Sequence, residues 1–190
     1  MNYRDSLTKG YYQHGTEYHP YTSFIEEKLT GEFKDHSVYT TGVNGETTTR
    51  MLNRLPKELE VSNFKVAIIL CGTNDIGVVE ADAIFENIKA LHQIALQKVK
   101  YTVALTIPCA VMDKKPSVFL NRKTKVNQMI RDFAQQNDRV ELVDIFSELH
   151  INNHNEKDIW DDNLHFTPEG YRRIGEAVWN ELQHVLKKLK

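Results

Sequence analysis

Four short stretches of the chain carry residue types that can make and break bonds. In Trp160-Asp161-Asp162-Asn163-Leu164-His165, a carboxylate precedes an imidazole by three residues, just before a helix start. In a loop or turn, that spacing lets Asp162 hold one ring nitrogen of His165 and fix its tautomer. Near the start, Arg4-Asp5-Ser6-Leu7-Thr8-Lys9-Gly10 offers a serine hydroxyl. A hydroxyl is a weak nucleophile until a base takes its proton, and the base offered by the other stretches is His165. Gly72-Thr73-Asn74-Asp75 follows the apolar run 64–71, so the Asn74 amide can donate a hydrogen bond into a site at a strand's end. In Thr41-Gly42-Val43-Asn44-Gly45-Glu46-Thr47-Thr48, two glycines precede a hydroxyl-rich helix start. Glycine lets backbone N–H groups approach a ligand closely. Each stretch also has a plain structural use, as an Asn/Asp turn, a capping threonine or a capping histidine.

The elements between these stretches must bring them together. Segments 65–71, 101–108 and 139–145 read as strands, the first of them fully buried because it is continuously apolar. Segment 36–42 reads as a short strand. Helical patterns cover 21–29, 47–59 with an interruption near Pro56, 80–97, 119–136 and 167–189. In the third of these, Ile84, Ile88, Leu91 and Ala95 share a face, and in the fourth, Val126, Met129, Ile130 and Phe133 do. Thr167 and Pro168 read as the N-cap and first position of the last helix. Alternating strands and helices imply a three-layer α/β/α fold around a parallel sheet, one domain over residues 1–190. In such sheets, sites lie beyond the carboxyl ends of the strands, which is where the four stretches fall.

Composition narrows the function. The chain has 190 residues and a net charge of -2, so nothing draws it to nucleic acid. No apolar stretch approaches the roughly 20 residues of a membrane span. The sequence shown has no secretory signal, and Cys71 and Cys109 read as buried free thiols, which together imply a cytoplasmic location. His150 and His154 have helical ligand spacing but no third ligand, so neither a metal nor another cofactor is expected.

In order and approximate spacing, the four stretches resemble the SGNH, or GDSL, hydrolase family: Asp-Ser-Leu-Thr, then Gly45-Glu46-Thr47-Thr48, then Gly-Thr-Asn-Asp, then Asp162 and His165. The resemblance spans nearly the whole chain. It implies a flavodoxin-like sheet of order 2-1-3-4-5 and a serine esterase acting through an acyl-enzyme on small acyl or acetyl esters. Ser6 would be the nucleophile, His165 the general base and Asp162 its orienting carboxylate. The oxyanion hole would be the backbone N–H groups of Ser6 and Gly45 with the Asn74 amide. Tyr11, Tyr12 and Trp160 are candidates for the pocket wall. The other readings are a thioesterase or lysophospholipase, or a catalytically silent relative that binds a ligand or partner. Arg4 stands where the family has glycine, and Met1 to Arg4 are too few and too polar for the family's first strand. The expectation is therefore a truncated first strand, pairing for two or three residues at most. The open slot beside segment 65–71 would leave the protein a monomer or a strand-exchanged dimer.

Overall fold

The computed structural model of the chain describes residues 6–189. Three strands form one parallel sheet in the order β3-β4-β5: Val66–Ile69, Tyr101–Leu105 and Val140–Val143. Val66 pairs with Tyr101, and Thr102 with Val140. Two shorter strands, β1 (Tyr11–Tyr12) and β2 (Glu17–Tyr18), make a separate antiparallel hairpin.

Helices cover both faces of the sheet. On one lie α3 (Thr48–Glu58), α4 (Ala81–Leu96) and α5 (Val118–Gln135). Their apolar stripes meet Ile69, Ala104 and Val140 in one core cluster. On the other lie α2 (Thr22–Glu32) and α8 (Pro168–Lys188), which meet Leu70, Val103, Leu105 and Val143 in a second; the one-turn helices α6 (Ile145–Glu148) and α7 (Glu156–Ile159) precede α8 in the chain. Neighbouring residues of β4 thus feed opposite cores, as the two-residue repeat of a strand requires. The stripes on α4 and α5 are those the periodicity gives, with Met129 at the half-buried margin. Thr167 caps α8 by accepting the Gly170 N–H at 3.1 Å, with Pro168 in the first turn.

Two expectations change. Helix α3 runs through Pro56 without a break. The proline is exposed and only two residues from the helix end, so little helix depends on the hydrogen bond it cannot donate. Segment 36–42 is not a strand. A strand needs a ladder partner, and this segment is separated from β3 by a groove of about 760 Å³. The groove is lined by Val38 and Tyr39 on one side, Val66 and Ile68 on the other, with Leu55 of α3 and Leu182 of α8 above and below. For this reason β3 is not the fully buried strand its composition suggests. Val66, Ala67 and Ile68 are half-buried, whereas Val103, Ala104 and Leu105 of the doubly flanked β4 are buried. The truncated first strand and its pairing fall outside the described residues.

Candidate active site

Ser6 opens the one-turn helix α1 (Ser6–Lys9). The next side chain, Leu7, is 1% exposed in the core between α2 and α8, and anchors the serine from its C-terminal side. Ser6 itself is nearly buried, and its Oγ lies 2.6 Å from His165 Nε2. The other ring nitrogen, Nδ1, lies 2.7 Å from Asp162 Oδ2. Asp162 Oδ1 accepts the backbone N–H groups of Leu164 at 2.7 Å and His165 at 2.6 Å. The carboxylate therefore holds both the ring and the backbone of the histidine. Burial works to raise the Asp162 pKa, but the bonds from His165 and Leu164 outweigh it and hold the carboxyl well below the usual carboxylate range. It stays ionised, able to steady a protonated imidazole.

The loop carrying this pair is held from several directions. Trp160 and Phe166 form an antiparallel bridge, and the Asp161 N–H donates to the His165 carbonyl at 2.9 Å. The loop after β4 reaches under it: Val111 N–H donates to the Asn163 carbonyl at 3.1 Å, and the Trp160 indole N–H to the Cys109 carbonyl at 3.2 Å. That supporting loop is pinned in turn by Asp113, which accepts the Ala110 N–H at 2.8 Å and forms a buried ion pair with Lys123. Gln13 N–H donates to Asp161 Oδ2 at 2.9 Å from the opposite side.

The second group of residues lies beyond the end of β3. Asn74 Nδ2 donates to the Glu46 carbonyl at 3.0 Å, which joins the Asn74 amide to the residue after Gly45. An amide carries two N–H donors, so this bond leaves Asn74 one more to offer. Gly45 is buried with φ +76°, a conformation that side-chain-bearing residues avoid. Next door, Asp75 is fully buried and takes the Thr48 N–H at 3.0 Å and its hydroxyl at 2.8 Å, closing the N-terminus of α3. Burial pushes its pKa up, and the bonds from Thr48 partly offset this. Asn74 and Asp75 together tie the loop after β3 to the loop containing Gly45.

Of the pocket candidates, Tyr11 packs on His165 with ring centroids 4.4 Å apart. Tyr12, one residue on in the same strand, meets His19 edge-on at 5.3 Å instead. Trp160 is 4% exposed and packs against Phe166, so it supports the loop from behind rather than facing a cleft. The sequence reading missed the parts played by Asp75, Asp113, Lys123 and Asp161. Asp75 stood inside a stretch already singled out, and its place before a helix start was the usable signal. The pairing of Lys123 with Asp113 has no local signature, because α5 must fold back to make it. Among the described residues, no cluster of His, Cys, Asp and Glu could hold a metal ion, and no helix is long and apolar enough to cross a membrane.

A sequence model of the GDSL-like lipase/acylhydrolase family matches residues 5–173. No curated protein matches the chain. Solved structures share the fold at low identity. The lipase/acylhydrolase from Enterococcus faecalis is 20% identical, with 95% of this chain and 92% of that one covered and a TM-score of 0.73. The psychrotrophic esterase EstA from a Pseudoalteromonas species is 18% identical, with 97% and 96% covered and a TM-score of 0.76. The acetyl xylan esterase AlAXEase is 21% identical, with 93% and 95% covered and a TM-score of 0.75.

Proposed function

The chain belongs to the GDSL-like lipase/acylhydrolase family, and on that basis we propose that it is a serine esterase acting on small acyl esters. The observation that carries the reading is the continuous contact from Ser6 Oγ through the His165 ring to Asp162, at 2.6 and 2.7 Å. In the proposed reaction, Ser6 Oγ attacks the ester carbonyl carbon while His165 Nε2 takes its proton. The tetrahedral oxyanion collapses, the C–O bond to the leaving group breaks, and His165 returns the proton to the departing alcohol. Water then attacks the acyl-serine by the same steps and releases the acid.

The oxyanion needs donors placed where its charge develops. The remaining Asn74 N–H, with the backbone N–H groups of Gly45 and Ser6, would supply them. The bond from Asn74 to Glu46 supports placing the first two in one locus. The small-acyl preference draws support from the acetyl xylan esterase among the proteins of the same fold. Hydrolysis of p-nitrophenyl esters from acetyl to dodecanoyl by purified protein tests both parts. Turnover highest for acetyl to butyryl supports the reading. A maximum at long chains would shift it to a lysophospholipase-like enzyme, and hydrolysis of acyl-thioesters alone to a thioesterase. No turnover on any of them would leave a silent binding protein.

A further inference from the structure

Residues 10–19 form a miniature hairpin that the reaction scheme above does not use. Its turn passes through Gln13 and His14 with φ of 45° and 56°, then Gly15 at 84°, a run of left-handed backbone that side-chain-bearing residues avoid. Such a turn persists only where its surroundings hold it, and contacts from α8 and from the 160–166 loop help to hold this one. The Tyr171 hydroxyl of α8 donates to the Tyr11 carbonyl at 2.9 Å. Gln13 N–H donates to Asp161 Oδ2, one residue from Asp162. The hairpin is thus fastened to the first turn of the helix after the Asp162–His165 loop and to the loop itself.

These contacts place one ring. Tyr11 lies on the His165 imidazole with centroids 4.4 Å apart and planes inclined by 37°. Tyr18 meets this ring edge-on at 6.2 Å, and Gly15 lies so near it that a Cβ there would come within 2.7 Å of the tyrosine ring. These neighbours pack on the ring beside its contact with His165. The imidazole is held at its edges by Ser6 and Asp162 and on a face by Tyr11. Asp162 is the ionised group bonded to it, while the Asp161 carboxylate is turned to Gln13.

We propose that Tyr11 is a positioning residue for His165: its ring keeps the imidazole plane on the line from Asp162 to Ser6, and its face stabilises the imidazolium formed when His165 takes the serine proton. An aromatic face attracts a cation within about 6 Å of its centroid, and the charge exists only while the proton is held. The contribution is therefore larger in the transition state than with substrate merely bound, and belongs in kcat rather than KM. A tyrosine that only walled the pocket would act on KM. The inference rests on the proposed role of His165 as base, so its test includes a readout that needs no turnover.

Tyr11→Leu and, as a second variant should leucine disturb the fold, Tyr11→Met should lower kcat by roughly 3- to 30-fold, with KM within about twofold of the parent. Tyr11→Phe, which keeps the ring, should recover most of that loss. Alongside, the His165 Nδ1–H proton is followed by NMR in Ser6→Ala protein with Tyr11 intact or replaced by leucine. The proposal expects a downfield resonance that is narrow with Tyr11 and broadened by solvent exchange without it. An unchanged resonance in the leucine variant overturns the proposal, even if the parent hydrolyses esters. A raised KM with unchanged kcat, or a phenylalanine variant as slow as leucine, overturns it too. The predicted broadening in a protein that hydrolyses no ester would uphold the positioning and remove the esterase reading.

Discussion

The loop 160–166 and the groove-facing edge of β3 are ordered in opposite ways. The loop is short and has little regular structure, yet it is tied to the loop after β4 at Cys109 and Val111, to the hairpin at Gln13, and to itself by the Trp160–Phe166 bridge. The strand is regular, yet among the described residues it pairs only with β4, and it faces a groove of about 760 Å³ with half-buried side chains. Regular structure and fixed geometry are therefore separate things in this fold. The Asp162–His165 pair is carried by irregular backbone, and neither residue lines the groove along β3. Even Ser6, whose helix borders the groove at Thr8, is held by Leu7 in the core and by His165.

If that separation is right, damage to the loop side should remove activity and leave the fold nearly intact. The largest effect belongs to His165→Ala, which should lower kcat by roughly 10⁴- to 10⁶-fold in ester-hydrolysis assays while the melting temperature moves little. Asp162→Asn keeps the shape but offers His165 Nδ1 no ionised partner, and should cost about 10⁴-fold. Asn74→Ala removes a donor that matters in the transition state. It should reduce kcat by about 100- to 1,000-fold with KM nearly unchanged. Normal turnover in that variant would make Asn74 only a bridge to Glu46.

The same division marks what could be read in the sequence. Helices α4, α5 and α8 and all three sheet strands were legible because their signals are local: a 3.6-residue apolar stripe, a continuous apolar run, a Thr-Pro cap. Ser6, Asp162 and His165 were legible as residue types in order, and the structure places them in contact. Segment 36–42 misled because its composition is strand-like while strand identity lies in pairing, which needs a neighbour. Trp160 misled because an aromatic beside a polar loop reads the same whether it faces outward or inward. Its indole donates to Cys109, 51 residues away in the chain, and no local pattern encodes that.

Smaller effects should appear in stability. His92 on α4 is fully buried, with Nδ1 bonded to the Thr102 hydroxyl at 2.8 Å and Nε2 without a partner among the described residues. Burial lowers its pKa to about 3. The unfolded chain therefore takes up a proton near pH 6.5 that the folded one refuses until about pH 3. Stability contributed by the neutral ring is full above pH 6.5 and is lost as pH falls below it, at most about 1.4 kcal/mol per pH unit. Replacing it, as in His92→Gln, should flatten that part of a denaturant-measured pH–stability curve. An unchanged slope would assign the acid sensitivity elsewhere.

On the groove side of β3, an engineered extension of about six apolar residues and a glycine ahead of Asp5 should offer the strand a ladder partner. Pairing there should raise the melting temperature by about 2–4 °C for each ~1 kcal/mol gained. Turnover per folded molecule should change little, because Ser6 already touches His165. A large gain in kcat would contradict the separation between edge and site. The same extension should reduce any concentration-dependent dimer seen by sedimentation, by occupying the edge through which copies would exchange strands.

The central claim is that His165 activates Ser6 as a nucleophile, and covalent labelling tests it most directly. Purified protein is treated with a fluorophosphonate and analysed by intact mass and peptide mapping. The account predicts one adduct per chain, on Ser6, absent from Ser6→Ala and formed far more slowly in His165→Ala. An adduct on another residue, or full labelling of Ser6→Ala, would contradict it.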